Sequence, residues 1–460
     1  MIVRFQFLLS AILMAGGILS FTAPSMAATK IFPYPYVQED LPNGLRLITI
    51  PTNFPNIVSL FIVVGTGSRN EVEPGKSGFA HLFEHLMFRG TPEFSPERYQ
   101  AELKRAGAYS NAFTTDDYTA YHTTFSVEDL PRVLSMEADR FQHLSYPQPA
   151  FKTESLAVLG EYNKNSANPT QKLFETLRAT AFHTHTYRHT TMGFIQDIEA
   201  MPDEYDYSRQ FFARYYRPEY TTIIVSGPVD AKKVRAMVDE RWGQWKRGDY
   251  KPRIPAEPAQ DGPRTAHVDW PTPTLPWVAV AYRGPAYSDS TIETAALDAI
   301  AQLGFSKTSP LYQKLTIQDQ VVDSMMGGPP NNLDPELFGV LARVKKQQDL
   351  ESVEKQLVET AQSFAATPVD AKKLEALKEH LRYQFALSLN NSEAIARVVA
   401  QFVALRRTPE TINRYYDLYA RLTPEDIQKV AAKYLIPNNR TVVTLTSKPT
   451  SKATSGGGAQ

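Results

Sequence analysis

Two stretches of the chain match each other without a gap, 219 residues apart: "ARYYRPEYTTII" at 213–224 and "AKYLIPNNRTVV" at 432–443. They share an alanine, a base, a tyrosine, a proline, a threonine and two β-branched residues, the trace of an internal duplication. Each copy reads as a helix stopped by its proline, followed by a short β-branched strand. The beginnings of the halves also correspond. The strand pattern "NIVSLFIVVG" followed by a helix through residue 89 matches "LPWVAVAYRG" followed by the helix pattern "STIETAALDAIAQLG". Strands mixed with long helices in runs, rather than in strict alternation, predict an α+β fold of two duplicated domains, each a mostly antiparallel sheet with helices packed on it.

The boundary between the copies is marked by composition. Residues 246–276, "KRGDYKPRIPAEPAQDGPRTAHVDWPTPTLP", are dense in proline and charge and poor in hydrophobic periodicity, which predicts a partly extended linker over 246–275. The domains then span 28–245 and 276–447, with the small polar segment 448–460 as a disordered tail. At the other end, "MIVRFQFLLSAILMAGGILSFTAPSMAATK" places Arg4 before an apolar run and a small-x-small site before Ala28. This predicts a signal peptide over 1–27, in preference to an uncleaved anchor, because Pro24 and the small residues favour cleavage. Export, with a periplasm as the destination, follows as an expectation, and no later segment is apolar and long enough to span a bilayer.

Charge and cysteine narrow the chemistry. Basic and acidic residues number 49 each, so the overall balance does not suggest nucleic acid as a partner. The chain has no cysteine, which excludes disulfide bonds, thiolate catalysis and thiolate metal ligation. Any metal must sit on His, Asp or Glu.

One segment offers such a set. In "GFAHLFEHLMFRG", residues 78–90, His81 and His85 are four apart and stand one above the other on a helix, with Glu84 beside them. Ser77 reads as the N-cap and Gly90 as the stop of a helix of about three turns. With 9 histidines in the chain, His-x-x-Glu-His arises by chance on the order of once in a hundred such sequences, so a core helix with incidental histidines is the poorer reading. A catalytic zinc site needs a third protein ligand and an open position. In "FKTESLAVLGEYNKN", residues 151–165, Glu154 and Glu161 lie two helical turns apart on one face, and only one of them need touch the metal.

With these residues in hand, the chain resembles the pitrilysin family of zinc peptidases, the inverzincins, which includes mitochondrial processing peptidase and insulin-degrading enzyme. The resemblance covers nearly the whole chain after residue 27. It rests on His81-Leu-Phe-Glu84-His85, on Glu161 at 76 residues beyond His85, on Glu154, on "GAYSNAFTTDDYTAY", and on "LDAIAQLGFSKTSPLYQKL". It implies that His81, His85 and Glu161 hold Zn2+, that Glu84 is the general base and then delivers its proton to the leaving amine, and that Glu154 tunes the site from behind the ligands. It also implies that an edge strand around Asn111, Ala112 and Phe113 pairs with an extended peptide, and that the two domains face each other around a substrate chamber. Ala108 departs from the family, which usually has a second glycine there.

A larger departure lies in the second half. Relatives active alone carry an Arg and, seven residues later, a Tyr in the segment aligned with "LTIQDQVVDSM"; here those places fall on Thr316 and Asp323, with Tyr312 and Lys314 nearby. The resemblance therefore implies a heterodimer in which this chain bears the zinc and a homologous partner supplies the Arg/Tyr pair. The reading is a zinc-dependent endopeptidase acting on extended or unfolded peptides; the alternative is a non-catalytic peptide-binding subunit. His183, His185 and His189 in "AFHTHTYRHTTMG" form a histidine-rich tract without helical spacing or an acidic partner, a poor second metal site.

Overall fold

The apolar, β-branched runs build two sheets. In this computed structural model, which describes residues 30–448, the first sheet contains β1 (Val37–Asp40), β2 (Arg46–Pro51), β3 (Ile57–Val64), β4 (Tyr109–Thr114), β5 (Thr119–Ser126) and β6 (Thr221–Gly227). Its order is β1-β2-β6-β3-β5-β4. The second contains β7 (Arg264–Trp270), β8 (Trp277–Arg283), β9 (Val322–Gly328), β10 (Leu337–Val344) and β11 (Arg440–Ser447), in the order β7-β11-β8-β10-β9. Leaving out β1, the two orders are identical under the duplication. Both sheets are antiparallel except for one corresponding pair in each, β2 with β6 and β7 with β11. The α+β, two-copy expectation holds, and the matched segments 213–224 and 432–443 each run from a helix through a short 3-10 turn into β6 or β11.

The stretch expected to be linker needs a correction. β7 lies inside 246–275 and pairs in parallel with β11 over its whole length. It escapes a hydrophobicity reading because it is an edge strand, in which Thr265, His267 and Asp269 are exposed and Val268 alone is buried. The expected signal peptide, and all but the first residue of the expected tail, lie outside the described residues.

Each sheet is covered on one face by helices of its own half and on the other by a helix from the opposite half. Helix Ser392–Arg406, from the second half, packs across β3 and β6. Its Ile395, Ala396, Val399, Ala400 and Val403 are essentially fully buried against Ile48, Ile50, Phe61, Val63 and Ile224. Reciprocally, helix Pro169–Ala181, from the first half, lays Leu173, Leu177 and Ala181 on Val268, Ala279, Ala281, Val443 and Leu445 of the second sheet. A sheet covered on both faces needs apolar residues at successive positions, which is why β3 reads "IVSLFIVV" rather than alternating. At ~1.5–3 kcal/mol for each large aliphatic side chain fully buried, these two exchanged helices tie the halves into one body.

Polar contacts add to that tie at the β4–β5 turn. Arg69 pairs with Asp334 at 2.6 Å and His185 with the same carboxylate at 2.9 Å, while Arg178, paired within its own half to Asp116 at 2.6 Å, stands 3.6 Å from Glu336 of the second half. Tyr187 donates to Asp117 at 2.6 Å, and the other oxygen of Asp117 accepts from the Leu333 backbone. Among the described residues no helix is long and apolar enough to cross a membrane.

Candidate metal centre

The helix carrying the two histidines runs Phe79–Leu86, shorter than the expected three turns. Phe79, Ala80, Leu82, Phe83 and Leu86 are buried in the first core, which fixes the rotation of the helix and leaves His81, Glu84 and His85 on the remaining face. Its start differs from the expected cap. Ser77 bonds to Asp197 and accepts from the Phe194 backbone instead. Gly78 enters the helix at φ +92°, where a Cβ would stand 2.8 Å from the Met192 carbonyl. The Glu71 carboxyl accepts from the backbone N–H of Gly78 at 2.8 Å and of Ala80 at 2.7 Å, satisfying two of the free donors at the positive end of the helix. Cap rules search the adjacent residue; Glu71 lies seven positions upstream.

Helix Gln148–Ser166 runs beside it and brings the two candidate glutamates to the histidines. One Glu161 oxygen lies 3.7 Å from His81 Nε2 and 3.5 Å from His85 Nε2. All three ligand atoms fall within 4.8 Å of one another, and this is the one such cluster among the described residues. Ligands at ~2.1 Å from a tetrahedral ion stand ~3.4 Å apart, so the donor set and its spacing fit zinc. Glu154, buried, faces the other nitrogen of His85, with Oε2 3.6 Å from Nδ1. Burial, reinforced by His85 and opposed by Glu161, pushes His81 down to about 4, leaving the imidazole neutral as a metal ligand must be. Glu154 acts in the opposite direction on His85 and raises it.

Glu84, half-buried, lies beside the three candidate ligands without joining their cluster. Its Oε2 accepts from the Thr114 hydroxyl at 2.7 Å. Burial raises its carboxyl above the usual range, against the Thr114 hydrogen bond, which lowers it. A half-buried carboxyl held by a hydroxyl beside the candidate metal ligands is placed to take and return a proton.

Thr114 ends β4, and β4 is an edge strand of the first sheet, with no partner on its outer side among the described residues. Asn111, Ala112 and Phe113 pair inward with His122, Tyr121 and Ala120. The Ala112 N–H does not enter that ladder; it donates to the Asn111 side chain at 2.9 Å. A strand partner could take this outward donor. Gly107, at φ +58°, makes the turn into the strand, and Ala108 packs against the core without needing the freedom of a second glycine.

The remaining candidates lie elsewhere. His185 pairs with Asp334, His189 bonds to the Thr190 carbonyl, and His183 is exposed, so the three do not converge. Thr316 sits in a π-helical turn over Gln313–Gln318 with its hydroxyl buried, and Asp323 pairs with Arg343 at 3.4 Å on β9. Lys314 is held by Asp319 and Gln356. Apart from the Glu71 cap, the Thr114 bond to Glu84 is the feature sequence reasoning missed, because residues 30 positions apart carry no periodic signal.

Residues 46–194 match the family described as insulinase, peptidase family M16, and residues 204–381 match the peptidase M16 inactive domain. The chain belongs to peptidase family M16. It is 28% identical to zinc protease PqqE of Helicobacter pylori over 414 residues, 88% of this chain and 91% of that one. It is 22% identical to the mitochondrial-processing peptidase β subunit of Blastocladiella emersonii, over 88% and 87% of the two chains. A protease structure from Helicobacter pylori superposes with a TM-score of 0.84 at 27% identity, over 90% of this chain and 99% of that one. At the level of its family the protein is a metallopeptidase whose relatives include zinc proteases.

Proposed function

We propose that the chain is a zinc-dependent endopeptidase that hydrolyses extended or unfolded peptides. The convergence of His81, His85 and Glu161, with Glu84 beside them and bonded to the last residue of an open edge strand, carries this reading. His81, His85 and Glu161 would hold the ion, and zinc so placed supplies a Lewis acid for the scissile carbonyl and for water. Glu84 takes the proton from the attacking water and hands it to the leaving amine. The backbone of Asn111, Ala112 and Phe113 aligns the substrate by strand addition, which selects extended backbone and tolerates many side chains. Glu154 orients His85.

The chemistry then belongs to the first half, and the second half walls a chamber. The places for an oxyanion-stabilising Arg/Tyr pair are taken by a threonine whose hydroxyl is buried and a paired aspartate, which supports a heterodimer with a homologous chain that supplies the pair. An exported, periplasmic location rests on the leader expected over residues 1–27.

The test uses the chain without residues 1–27, zinc, and a quenched fluorescent unfolded peptide, with wild type and Glu84→Gln compared. Cleavage by wild type and its loss in Glu84→Gln is expected; equal cleavage by both overturns the role of Glu84. Activity that appears only when a homologue bearing the Arg/Tyr pair is added supports the heterodimer, and full activity of the chain alone overturns it. If wild type stays inactive in both settings, the chain is instead a peptide-binding subunit.

A further inference from the structure

The face that presents His81 and His85 continues one step further than the motif. Arg89 is four residues beyond His85 and eight beyond His81, in the turn that follows the helix, where its N–H bonds to the Leu86 carbonyl at 2.9 Å. That turn is built rather than loose. Gly90 adopts φ +94°, a Cβ there would stand 2.8 Å from the Phe94 carbonyl, and the Gly90 carbonyl accepts from the Ser145 backbone at 3.1 Å. Opposite this row, Glu161 and Glu154 lie on one face of their helix. The two rows interlock as a ladder: Glu161 meets both histidines, and Glu154 meets His85 with one oxygen and the Arg89 guanidinium with the other.

Glu154 has a side chain only 4% exposed, and among the described residues its one permanently charged partner is Arg89, with the His85 imidazole on its other side. A carboxylate that deeply buried is costly without a fixed cationic partner. A guanidinium, permanently charged and planar, holds one carboxylate oxygen in a defined direction and so fixes the other. The fixed oxygen faces His85 Nδ1 at 3.6 Å, on the side of the ring away from Nε2, and a carboxylate held there favours the ring orientation that turns Nε2 toward Glu161.

We propose that Arg89 is a positioning residue of the metal centre, which holds Glu154 so that Glu154 orients His85. This rests on the reading of His81, His85 and Glu161 as the zinc ligands. Arg89 stands outside the cluster of candidate ligands and pairs with Glu154. Its effect passes entirely through Glu154, and that dependence separates it from a residue that merely supports the fold.

The experiment is a zinc affinity measurement by competition with a chromophoric chelator on the chain without residues 1–27, for wild type, Arg89→Ala, Glu154→Gln, the double variant and His81→Ala. Arg89→Ala is expected to weaken zinc binding ~10- to 100-fold, the range for losing an outer-shell partner. In the Glu154→Gln background, where no buried charge needs a partner, Arg89→Ala is expected to change the affinity less than twofold, and the double variant keeps the comparison valid if the single variant folds poorly. An unchanged affinity in Arg89→Ala, or an equal loss with and without Glu154, overturns the assignment of Arg89 alone. Zinc bound as tightly by His81→Ala as by wild type overturns the metal reading and the role of Arg89 with it.

Discussion

Replacing Thr114 by valine removes one hydroxyl from the site and almost nothing else. Valine keeps the shape and the β preference of threonine, so β4 remains paired with β5 and its outward backbone groups are untouched. What is lost is the 2.7 Å hydrogen bond to Glu84, together with a long 3.5 Å bond accepted from the Thr119 hydroxyl. A hydrogen bond to a charged partner contributes ~1.5–3 kcal/mol, and a half-buried carboxyl places this one near the lower end, at ~1.5 kcal/mol. If the bond holds Glu84 in place for proton transfer, that energy appears in the barrier, and at 1.36 kcal/mol per tenfold kcat falls ~10-fold. KM for an extended peptide stays within about twofold, because strand pairing is intact. Thr114→Ser keeps the hydroxyl and is expected to restore most of kcat. The assay is steady-state hydrolysis of a quenched fluorescent peptide, with zinc content checked in each variant. A Thr114→Val variant with unchanged kcat, or with the whole effect in KM, would refute the assignment of Thr114 as the residue that orients Glu84.

Other expectations follow from the same geometry. Ala112→Pro deletes the N–H that lies outside the β4–β5 ladder and is expected to raise KM for an extended peptide at least ~10-fold, with zinc retained; an unchanged KM would remove β4 as the docking edge. Val399→Ala opens a cavity between the exchanged helix and the first sheet and is expected to cost ~1.5–3 kcal/mol, read by denaturant unfolding as one shifted transition; two separate transitions would contradict the tie between halves. Burial alone would raise Asp334, yet hydrogen bonds from His185 and Arg69 bring it down to about 2 from an ordinary 3.8. Since its folded pKa is depressed, its stabilisation is present above pH ~4 and is lost as pH falls toward 2, ~2 kcal/mol in all, and Asp334→Asn is expected to flatten the pH dependence of unfolding in that window.

The sequence displayed the fold through repetition. The match between 213–224 and 432–443, a helix stop followed by a β-branched strand in each copy, announced two duplicated domains, each with a mostly antiparallel sheet. The candidate metal-site residues were legible for a related reason. His81 and His85 sit one turn apart, and Glu154 and Glu161 two turns apart, so each pair carries helical spacing on its own element. Features made between elements were not legible. The exchange of helices Ser392–Arg406 and Pro169–Ala181 leaves each looking like an ordinary core helix, since an apolar face does not state which sheet it covers. β7 was read as linker because an edge strand buries one side chain where an interior strand buries several. Glu71 and Thr114 each act on the motif helix from outside its periodic pattern, and no spacing rule reaches them.

In the proposed function His81, His85 and Glu161 hold one zinc ion, and zinc K-edge absorption of the purified chain without residues 1–27 reads that coordination sphere. The expected spectrum has two imidazole nitrogens and carboxylate oxygen in the first coordination sphere at ~2.0–2.2 Å, and one equivalent of zinc that is lost in His81→Ala and in Glu161→Gln. Stoichiometric zinc retained in both variants with an unaltered spectrum would contradict it.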